Sequence, residues 1–245
     1  MKQLTKLLAA LALTAPACTD TPSDRPDEGG TEVARVDDAH GSLRFLAEPD
    51  GTVGFAGRTD LRRTDAEYLL AVEHATPLEV YLALAPTDHE VPDALVANHR
   101  LLAGDAAPRA LALPAASASG TEPFADCTHT EWLDFLDGVQ GPYAFEYSRW
   151  VSTSDDIWTQ SISDSKVSRR FDACAANDVE GTATVQIYRK TNNTVVWSPF
   201  LSDQISPNER FWFTSVAGSF PDWMMSVQQP SNGDTQTVGL GRAES

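Results

Sequence analysis

Two short, mostly apolar runs lie near the start of the part of the chain that we expect to fold. SLRFLAE (42–48) and TVGFAGR (52–58) flank Pro49-Asp50-Gly51, which is a turn signal. We therefore expect a β-hairpin here. EYLLAVE (67–73) predicts a third strand, and ALAL (110–113) predicts a short last one.

Helix signals occur between the third predicted strand (67–73) and the last one (110–113). Thr76 and Glu79 form a capping box, and Pro77 occupies the first helical position. Apolar residues then recur at helical spacing, which predicts a helix over 77–85. A second helix is expected over 91–104, where it ends at a glycine.

The second half of the chain has the pattern of a mainly-β protein. A short helix is expected after a second capping box at residues 128–131, and turn signals occur at 192–193 and 206–208. Around these lie short runs rich in β-branched and aromatic residues, at 143–151, 166–171, 181–190, 194–197, 209–216, 223–228 and 234–240. Short strands with turns between them predict an antiparallel β-sandwich or jelly roll.

Composition divides the chain into two modules. Residues 39–113 are rich in Ala and Leu and form the expected small α+β module. The low-complexity stretch 114–123 is the linker, and residues 124–245 form the β-sandwich module. The fold class predicted from sequence is therefore an α+β N-terminal module followed by a mainly-β module.

The N-terminus has the features of an export signal. Lys2 and Lys6 precede the apolar run 7–13, and Ala15-Pro16-Ala17 supplies small residues at a cleavage site. The apolar run is shorter than the ~20 residues that span a bilayer. We expect residues 1–17 to be a signal peptide and the mature protein to be exported without a membrane-spanning helix.

The residue after this cleavage site is Cys18. Small residues followed by a cysteine resemble the lipobox of bacterial lipoproteins, although Ala15 stands where that motif usually has Leu. The resemblance covers about twenty residues and implies that Cys18 carries a diacylglycerol, which would attach the protein to the cell envelope, at the outer membrane or cell surface. The alternative is an ordinary signal-peptidase site followed by an unrelated cysteine, which would give a secreted protein.

Residues 18–38 have the composition of a disordered acidic tether. The stretch after Cys18 contains seven acids, two arginines and two prolines. Removal of residues 1–17 takes away two lysines and no acid, which changes the formal net charge from −17 to −19. Nucleic-acid binding needs a basic surface, and the sequence contains no Lys/Arg cluster larger than a pair. We therefore expect no nucleic-acid partner.

The other two cysteines are Cys127 and Cys174. An exported protein folds in an oxidising compartment, so we expect a disulfide between them. It would close a loop of about 48 residues and contribute roughly 4 kcal/mol in the chain-entropy model. Two buried free thiols are the alternative.

The sequence contains no nucleophile elbow, P-loop, zinc-protease motif or dinucleotide-binding fingerprint. We therefore assign no catalytic residue, metal ligand or cofactor. Acidic turns within 152–182 and 230–235 leave a Ca²⁺ site as an alternative.

Aromatic residues are the remaining candidates for binding. Seventeen of the 21 Phe, Trp and Tyr residues lie in 124–245. Strand alternation separates Trp212 from Phe211 and Phe213, and it separates Trp150 from Tyr147. If exposed, Trp150 and Trp212 would be stacking platforms for a glycan or a protein partner. If the outer sheet face is covered, they belong to the core.

These observations favour a non-enzymatic, lipid-anchored envelope or surface protein with a β-sandwich binding or assembly module. A secreted hydrolase whose site forms only in the fold is the first alternative. An inhibitor or accessory subunit of a secreted enzyme is the second.

Overall fold

The structure is a computed structural model, and it describes residues 30–61, 64–113, 144–151, 157–158, 168–175, 181–190, 197–216, 223–228 and 238–244. Antiparallel strands in two sheets dominate these ranges, with a few helices beside them. In chain order the elements are β1 (Thr31–Asp38), β2 (Gly41–Ala47), β3 (Val53–Asp60), α1 (Asp65–Ala71), α2 (Pro77–Leu84), α3 (Asp93–Ala103), β4 (Ala144–Val151), β5 (Ile157–Trp158), β6 (Ser168–Ala175), β7 (Ala183–Lys190), β8 (Trp197–Ile205), β9 (Glu209–Val216), β10 (Trp223–Gln228) and β11 (Val238–Glu244).

The larger sheet has seven strands in the order β1-β2-β3-β9-β6-β11-β4. All of its neighbouring pairs are antiparallel. The β3–β9 pair runs from Phe55 opposite Thr214 to Asp60 opposite Glu209. Strands from both predicted modules, 39–113 and 124–245, therefore lie in one continuous sheet.

The smaller sheet has four strands in the order β5-β10-β7-β8. Its side chains share a buried core with one face of the larger sheet, so the arrangement is compatible with a β-sandwich. Large members of this core include Phe171, Phe213, Phe200 and Trp223. The Phe200 and Trp223 rings meet nearly at right angles, with centroids 4.9 Å apart.

The three helices cover the opposite face of the larger sheet near β1, β2, β3 and β9. Their apolar side chains, including Leu69, Leu78 and Leu95, form a second core with Phe55 and Trp212 of the sheet. The parts of β2, β3 and β9 that lie between the two cores are therefore buried on both faces.

One element differs in type from the sequence prediction. Residues 67–73 are a short apolar run of strand length, but they belong largely to α1. Thr64 is the N-cap residue, and its side chain accepts a hydrogen bond from the Glu67 N–H while the Glu67 carboxylate accepts one from the Thr64 N–H. This capping box fixes the first turn of the helix. The strand prediction over 67–73 was wrong because a short apolar run fits a strand or a buried helix equally well, and the cap decides for the helix.

The predicted tether, 18–38, extends too far into the fold. Residues 31–38 form β1, which pairs with β2 along its length. Asp38 supports the turn between them because its Oδ1 accepts from the backbone N–H groups of His40 and Gly41. Val36 packs against the core under the helices. Sheet pairing therefore orders a segment whose composition alone indicated disorder.

Most other predicted elements are confirmed, with shifted ends. The hairpin of β2 and β3, the helices α2 and α3, and the strands β9 and β10 lie where the pattern placed them. Residues 110–113 form no strand. Residues 194–196 of the strand predicted at 194–197 lie outside the described ranges, and Trp197 begins β8, which includes Pro199. Pro199 is tolerated because β8 is an edge strand and its pairing is irregular there.

Candidate functional site

Four buried charged side chains meet on the helix-facing side of the larger sheet. They are Glu67 on α1, Arg170 and Asp172 on β6, and Arg210 on β9, and each side chain is at most 9% exposed. Alternation along β6 places Phe171 in the opposite core, between the two sheets. The polar members of β6 and β9 therefore face α1.

Hydrogen bonds join these four side chains into one network. Arg170 donates to both carboxylate oxygens of Asp172, at 2.7 Å from Nε and 2.8 Å from Nη2, and it also donates to Glu67. Arg210 donates from Nη1 to Glu67 at 2.9 Å and to Asp172 at 3.2 Å. Two carboxylates and two guanidiniums balance in charge, which is how ionised groups persist in an interior.

The network holds Glu67 ionised. Burial alone would raise the pKa of Glu67, but the charges of Arg210 and Arg170 and their hydrogen bonds outweigh burial and lower the pKa to about 2. Burial acts to lower the pKa of Arg170, but the charges of Asp172 and Glu67 outweigh burial and raise the pKa overall. Glu67 is therefore a fixed anion at neutral pH, and not a proton donor.

Trp212 packs between this network and the neighbouring strand. The Arg170 guanidinium lies 5.0 Å from the centre of the indole ring, a cation–π distance. The ring extends over Gly57 on β3, where a Cβ atom would come within 2.1 Å of the Trp212 Nε1. The close approach requires glycine at position 57.

A small cavity lies beside the network, between α1 and the end of the β1–β2 hairpin. Its volume is about 90 Å³, and Asp38, Thr59, Thr64, Asp65 and Trp212 are among the residues that line it. Acidic and hydroxyl-bearing residues therefore line a space large enough for a few heavy atoms.

Asp65 is the cavity carboxylate with a shifted pKa. Burial raises its pKa, and the nearby charge of Asp38 raises it further. The shift means that two carboxylates repel each other at the cavity without a compensating cation on Asp65. A bound cation would lower this repulsion.

The structure places Trp212 in the core. Its side chain is 0% exposed and stacks on Phe55 with ring centroids 6.5 Å apart. The exposed stacking platform that we considered for Trp212 is therefore absent, because the helices cover this face of the sheet. Trp150 lies on β4, and its side chain is outside what the structure describes.

The three cysteines are only partly described. Cys174 is fully buried on β6 and is in a disulfide. Cys127 and Cys18 lie outside the described residues. The Cys127–Cys174 pairing and the lipid on Cys18 stay predictions.

Metal binding gains no candidate from the described part of the chain. No group of three or more His, Cys, Asp or Glu side chains that could hold a metal ion occurs in the residues the structure describes. His99 bonds instead to Thr76 at 2.7 Å and to the Ala106 carbonyl at 3.0 Å. Most of the acidic turns considered for Ca²⁺, in 152–182 and 230–235, lie outside the described ranges.

Sequence reasoning missed the network and the cavity. The alternation Arg170, Asp172, Cys174 within the strand indicates that one face of β6 is polar, but it does not indicate that this face is buried. The Thr64–Glu67 spacing is a capping box, which would have identified α1. Neither signal reveals that Glu67 meets two arginines more than one hundred residues later in the chain.

No protein-family model matches the chain, and no curated protein is significantly similar to it in sequence. Within the described ranges, no helix combines the length and the apolar character needed to cross a membrane.

Proposed function

We propose that this chain is an exported, lipid-anchored protein of the cell envelope, at the outer membrane or cell surface, whose folded body is a non-enzymatic binding or assembly module. The two antiparallel sheets are interpreted as the β-sandwich of that body. The partner is expected to be a glycan or another protein of the same envelope.

The observation that carries the non-enzymatic proposal is the use of the buried acids. Glu67 and Asp172 contact Arg170 and Arg210, and Glu48 contacts Arg189 at 2.9 Å. A general acid or base needs a pKa near the working pH and access to substrate. Glu67 instead has a pKa of about 2 and lies buried between α1, to which it belongs, and the larger sheet. We therefore interpret these acids as ion-pair partners that stabilise the fold.

The anchoring proposal rests on Cys18, which follows the predicted cleavage site. Gly30 lies twelve residues later and packs so closely that a Cβ there would lie 2.4 Å from the Phe200 ring. A lipid on Cys18 would therefore hold the folded body close to the membrane.

Intact mass spectrometry and membrane fractionation test the anchor. The mature chain should carry the mass of a diacylglycerol on Cys18 and sediment with membranes, and Cys18→Ala should be released into the soluble fraction. An unmodified Cys18, or a Cys18→Ala variant that stays with membranes, would contradict the proposal. The same spectra with and without reductant report the Cys127–Cys174 pairing.

Glycan-array binding and cross-linking in intact envelopes test the binding function. The wild-type chain should give a reproducible partner, and Trp150→Ala tests whether the one remaining aromatic candidate contributes. Binding that is unchanged by Trp150→Ala would remove this residue from the binding surface.

A hydrolase remains the second candidate because of the cavity carboxylate Asp65. Its raised pKa beside a cavity is a feature that active sites share. Chromogenic ester, peptide and glycoside substrates test this function. Turnover that is lost in Asp65→Asn and kept in Asp105→Asn, a change at an exposed site, would favour the hydrolase over the binding module.

A further inference from the structure

The last turn of α3 and the residues after it form an exposed, mostly apolar surface. Leu101 is 64% exposed, more than any other large apolar side chain in the described ranges, and Leu102 is 40% exposed. We call residues 101–108 the α3 tip; all eight are exposed, and Asp105 is the one charged residue among them. We infer that the α3 tip rests in the surface of the lipid bilayer that holds Cys18. This inference rests on the proposed lipid anchor and adds the orientation of the body on the membrane.

Contacts with the rest of the body hold the α3 tip in place. Asn98 donates from Nδ2 to the Gly51 carbonyl at 3.2 Å, and a Cβ placed on Gly51 would lie 3.2 Å from the Cδ1 of Leu101. His99 bonds the Ala106 carbonyl at 3.0 Å. The turn that presents the leucines is therefore already ordered, so its contact with a bilayer carries little further entropy cost.

The α3 tip lies at the end of the larger sheet where the described chain begins. Thr31 at the start of β1 pairs with Ala47 at the end of β2, so Gly30 is level with the β2–β3 turn. Gly51, which Leu101 approaches, belongs to that turn. The strands β1 and β3 are two strand spacings apart, which is about 10 Å. The connection to the proposed anchor therefore joins the body close to the α3 tip.

A lipid on Cys18 would bring this end of the body to the bilayer. Twelve residue steps separate Cys18 from Gly30, enough for the α3 tip to touch the membrane while the connection stays well short of full extension. By their exposed fractions, Leu101 and Leu102 together offer about one full leucine side chain of apolar surface. Removal of that surface from water favours the contact about tenfold.

The distribution of charge along α3 favours the same orientation. Asp50 and Asp105 are exposed at the tip end, together with Arg100, which gives a formal sum of −1. The other end of α3 has three exposed acids and a formal sum of −3: Asp88, Glu90 and Asp93. The eleven residues of α3 separate the two ends by about 16 Å. Anionic headgroups repel acidic protein surfaces, so the tip is the end that approaches a bilayer at the lower electrostatic cost.

Leu82 offers a matched control at the far end of the α2–α3 pair. Thr76, which precedes α2, contacts His99 in the second half of α3 at 2.7 Å. Tyr81, in the second half of α2, donates to the Glu90 carbonyl before α3 at 3.1 Å. The two helices are therefore antiparallel, and Leu82 lies at the end opposite to the α3 tip. Leu82 is 48% exposed, so it is as accessible as the leucines of the tip.

Photo-crosslinking from lipid tests the inference. The lipidated wild-type chain is placed in phosphatidylcholine vesicles that contain a lipid with a diazirine in its acyl chain, and labelled peptides are identified by mass spectrometry. Label should appear on the α3 tip and not on the peptide that contains Leu82. The label on the tip should persist at about 0.5 M salt, because the contact is apolar and salt screens only charges.

Matched variants separate the leucines from the anchor. Leu101→Ser/Leu102→Ser changes only exposed positions, so the fold should be kept, which urea titration checks. Label on the α3 tip should fall about tenfold in this variant, and it should stay at the wild-type level in Leu82→Ser. The peptide that carries Cys18 enters the bilayer through its own lipid, so its label should be the same in all three proteins.

Three results would overturn the inference. Label on the Cys18 peptide without label on the α3 tip would overturn it and leave the anchor in place, as would a tip that envelope proteins protect from amide exchange but lipid does not label. Equal label on the tip in Leu101→Ser/Leu102→Ser would show that the leucines do not make the contact. An unmodified Cys18 in the intact mass would overturn the anchor, and the inference with it.

Discussion

The substitution Glu67→Gln tests the buried ion network most directly. Gln keeps the shape of the side chain and can still complete the capping box with Thr64, but it removes the charge that two arginines share. The folded protein would then bury two guanidiniums against Asp172 alone. We expect the free energy of unfolding to fall.

The size of the loss can be worked out in two ways. The pKa of Glu67 falls from 4.5 to about 2, and each pKa unit corresponds to about 1.4 kcal/mol, so its ionised form contributes about 3 kcal/mol to folding. Removing one partner from a buried ion pair costs about 3–5 kcal/mol in other proteins. We therefore expect Glu67→Gln to lower the unfolding free energy by about 3–5 kcal/mol in urea titrations at pH 7.

Glu79→Gln is the matched control, because Glu79 occupies the same position in the capping box of α2. Its carboxylate also binds an arginine, Arg109, at 2.9 Å, but the Arg109 side chain is 49% exposed. The hydrogen bond from Arg109 also lowers the pKa of Glu79 to about 2, but solvent screens this exposed pair, so the loss of stability should be clearly smaller than for Glu67. If Glu67→Gln lowers the unfolding free energy no more than Glu79→Gln does, burial of the ion network does not strengthen its contribution to stability, and the reasoning is refuted.

Acid titration checks the same argument with the opposite perturbation. The folded-state pKa of Glu67 is depressed, so its contribution is complete above about pH 4.5 and is lost as the pH falls through about 2. Wild type should lose this stability across that window, and Glu67→Gln should not. The gap between the two proteins should therefore narrow on acidification.

Three further predictions concern close packing and buried polar groups. Gly57→Ala should lower the unfolding free energy by about 1–3 kcal/mol, because the new Cβ would clash with the Trp212 indole. In thermal melts, the double variant Gly57→Ala/Trp212→Phe should recover part of that loss. Gly30→Val should increase amide exchange in β1, since its side chain would displace the Phe200 ring; unchanged protection would show that this contact does not hold the strand. His99→Ala should lower the unfolding free energy by about 1–3 kcal/mol and speed amide exchange near Ala106, because Thr76 and the Ala106 carbonyl each lose the hydrogen bond to His99. Amide exchange near Ala106 that stays at the wild-type rate would contradict this role.

The elements with strong local signals were predictable from sequence. Thr76, Pro77 and Glu79 identify the start of α2, and the structure shows the same capping box. The turn at Pro49-Asp50-Gly51 lies between β2 and β3 as expected, with Gly51 at a positive φ of 86°. Local chemistry decides these elements, so local sequence predicts them.

The joining of the two halves was not predictable from the same signals. Compositional change at 114–123 suggested separate modules, but β3 pairs with β9 and Glu67 binds Arg170 and Arg210. Long-range strand pairing is specified by complementary faces, and a single sequence does not reveal which strands are neighbours. The burial of Trp212 follows from this pairing, since helices of the first half cover its face.

The candidate site was missed for a related reason. Asp38 lies beside a turn and Asp65 lies in the first turn of α1, and nothing in the sequence distinguishes them from other acids; Trp212 comes from a strand that follows much later. Their convergence depends on tertiary structure. Sequence singled out one member, Trp212, but left open whether it is exposed or belongs to the core.

The fixed position of Gly30 has a consequence for where the body can go. If Cys18 carries the lipid, twelve residue steps separate the membrane from Gly30, and they span at most about 40 Å whatever their conformation. The body would therefore stay within about 40 Å of the membrane, a distance comparable to the width of a protein of this size. Partners within that distance would be met at high effective concentration, and those beyond it would be out of reach.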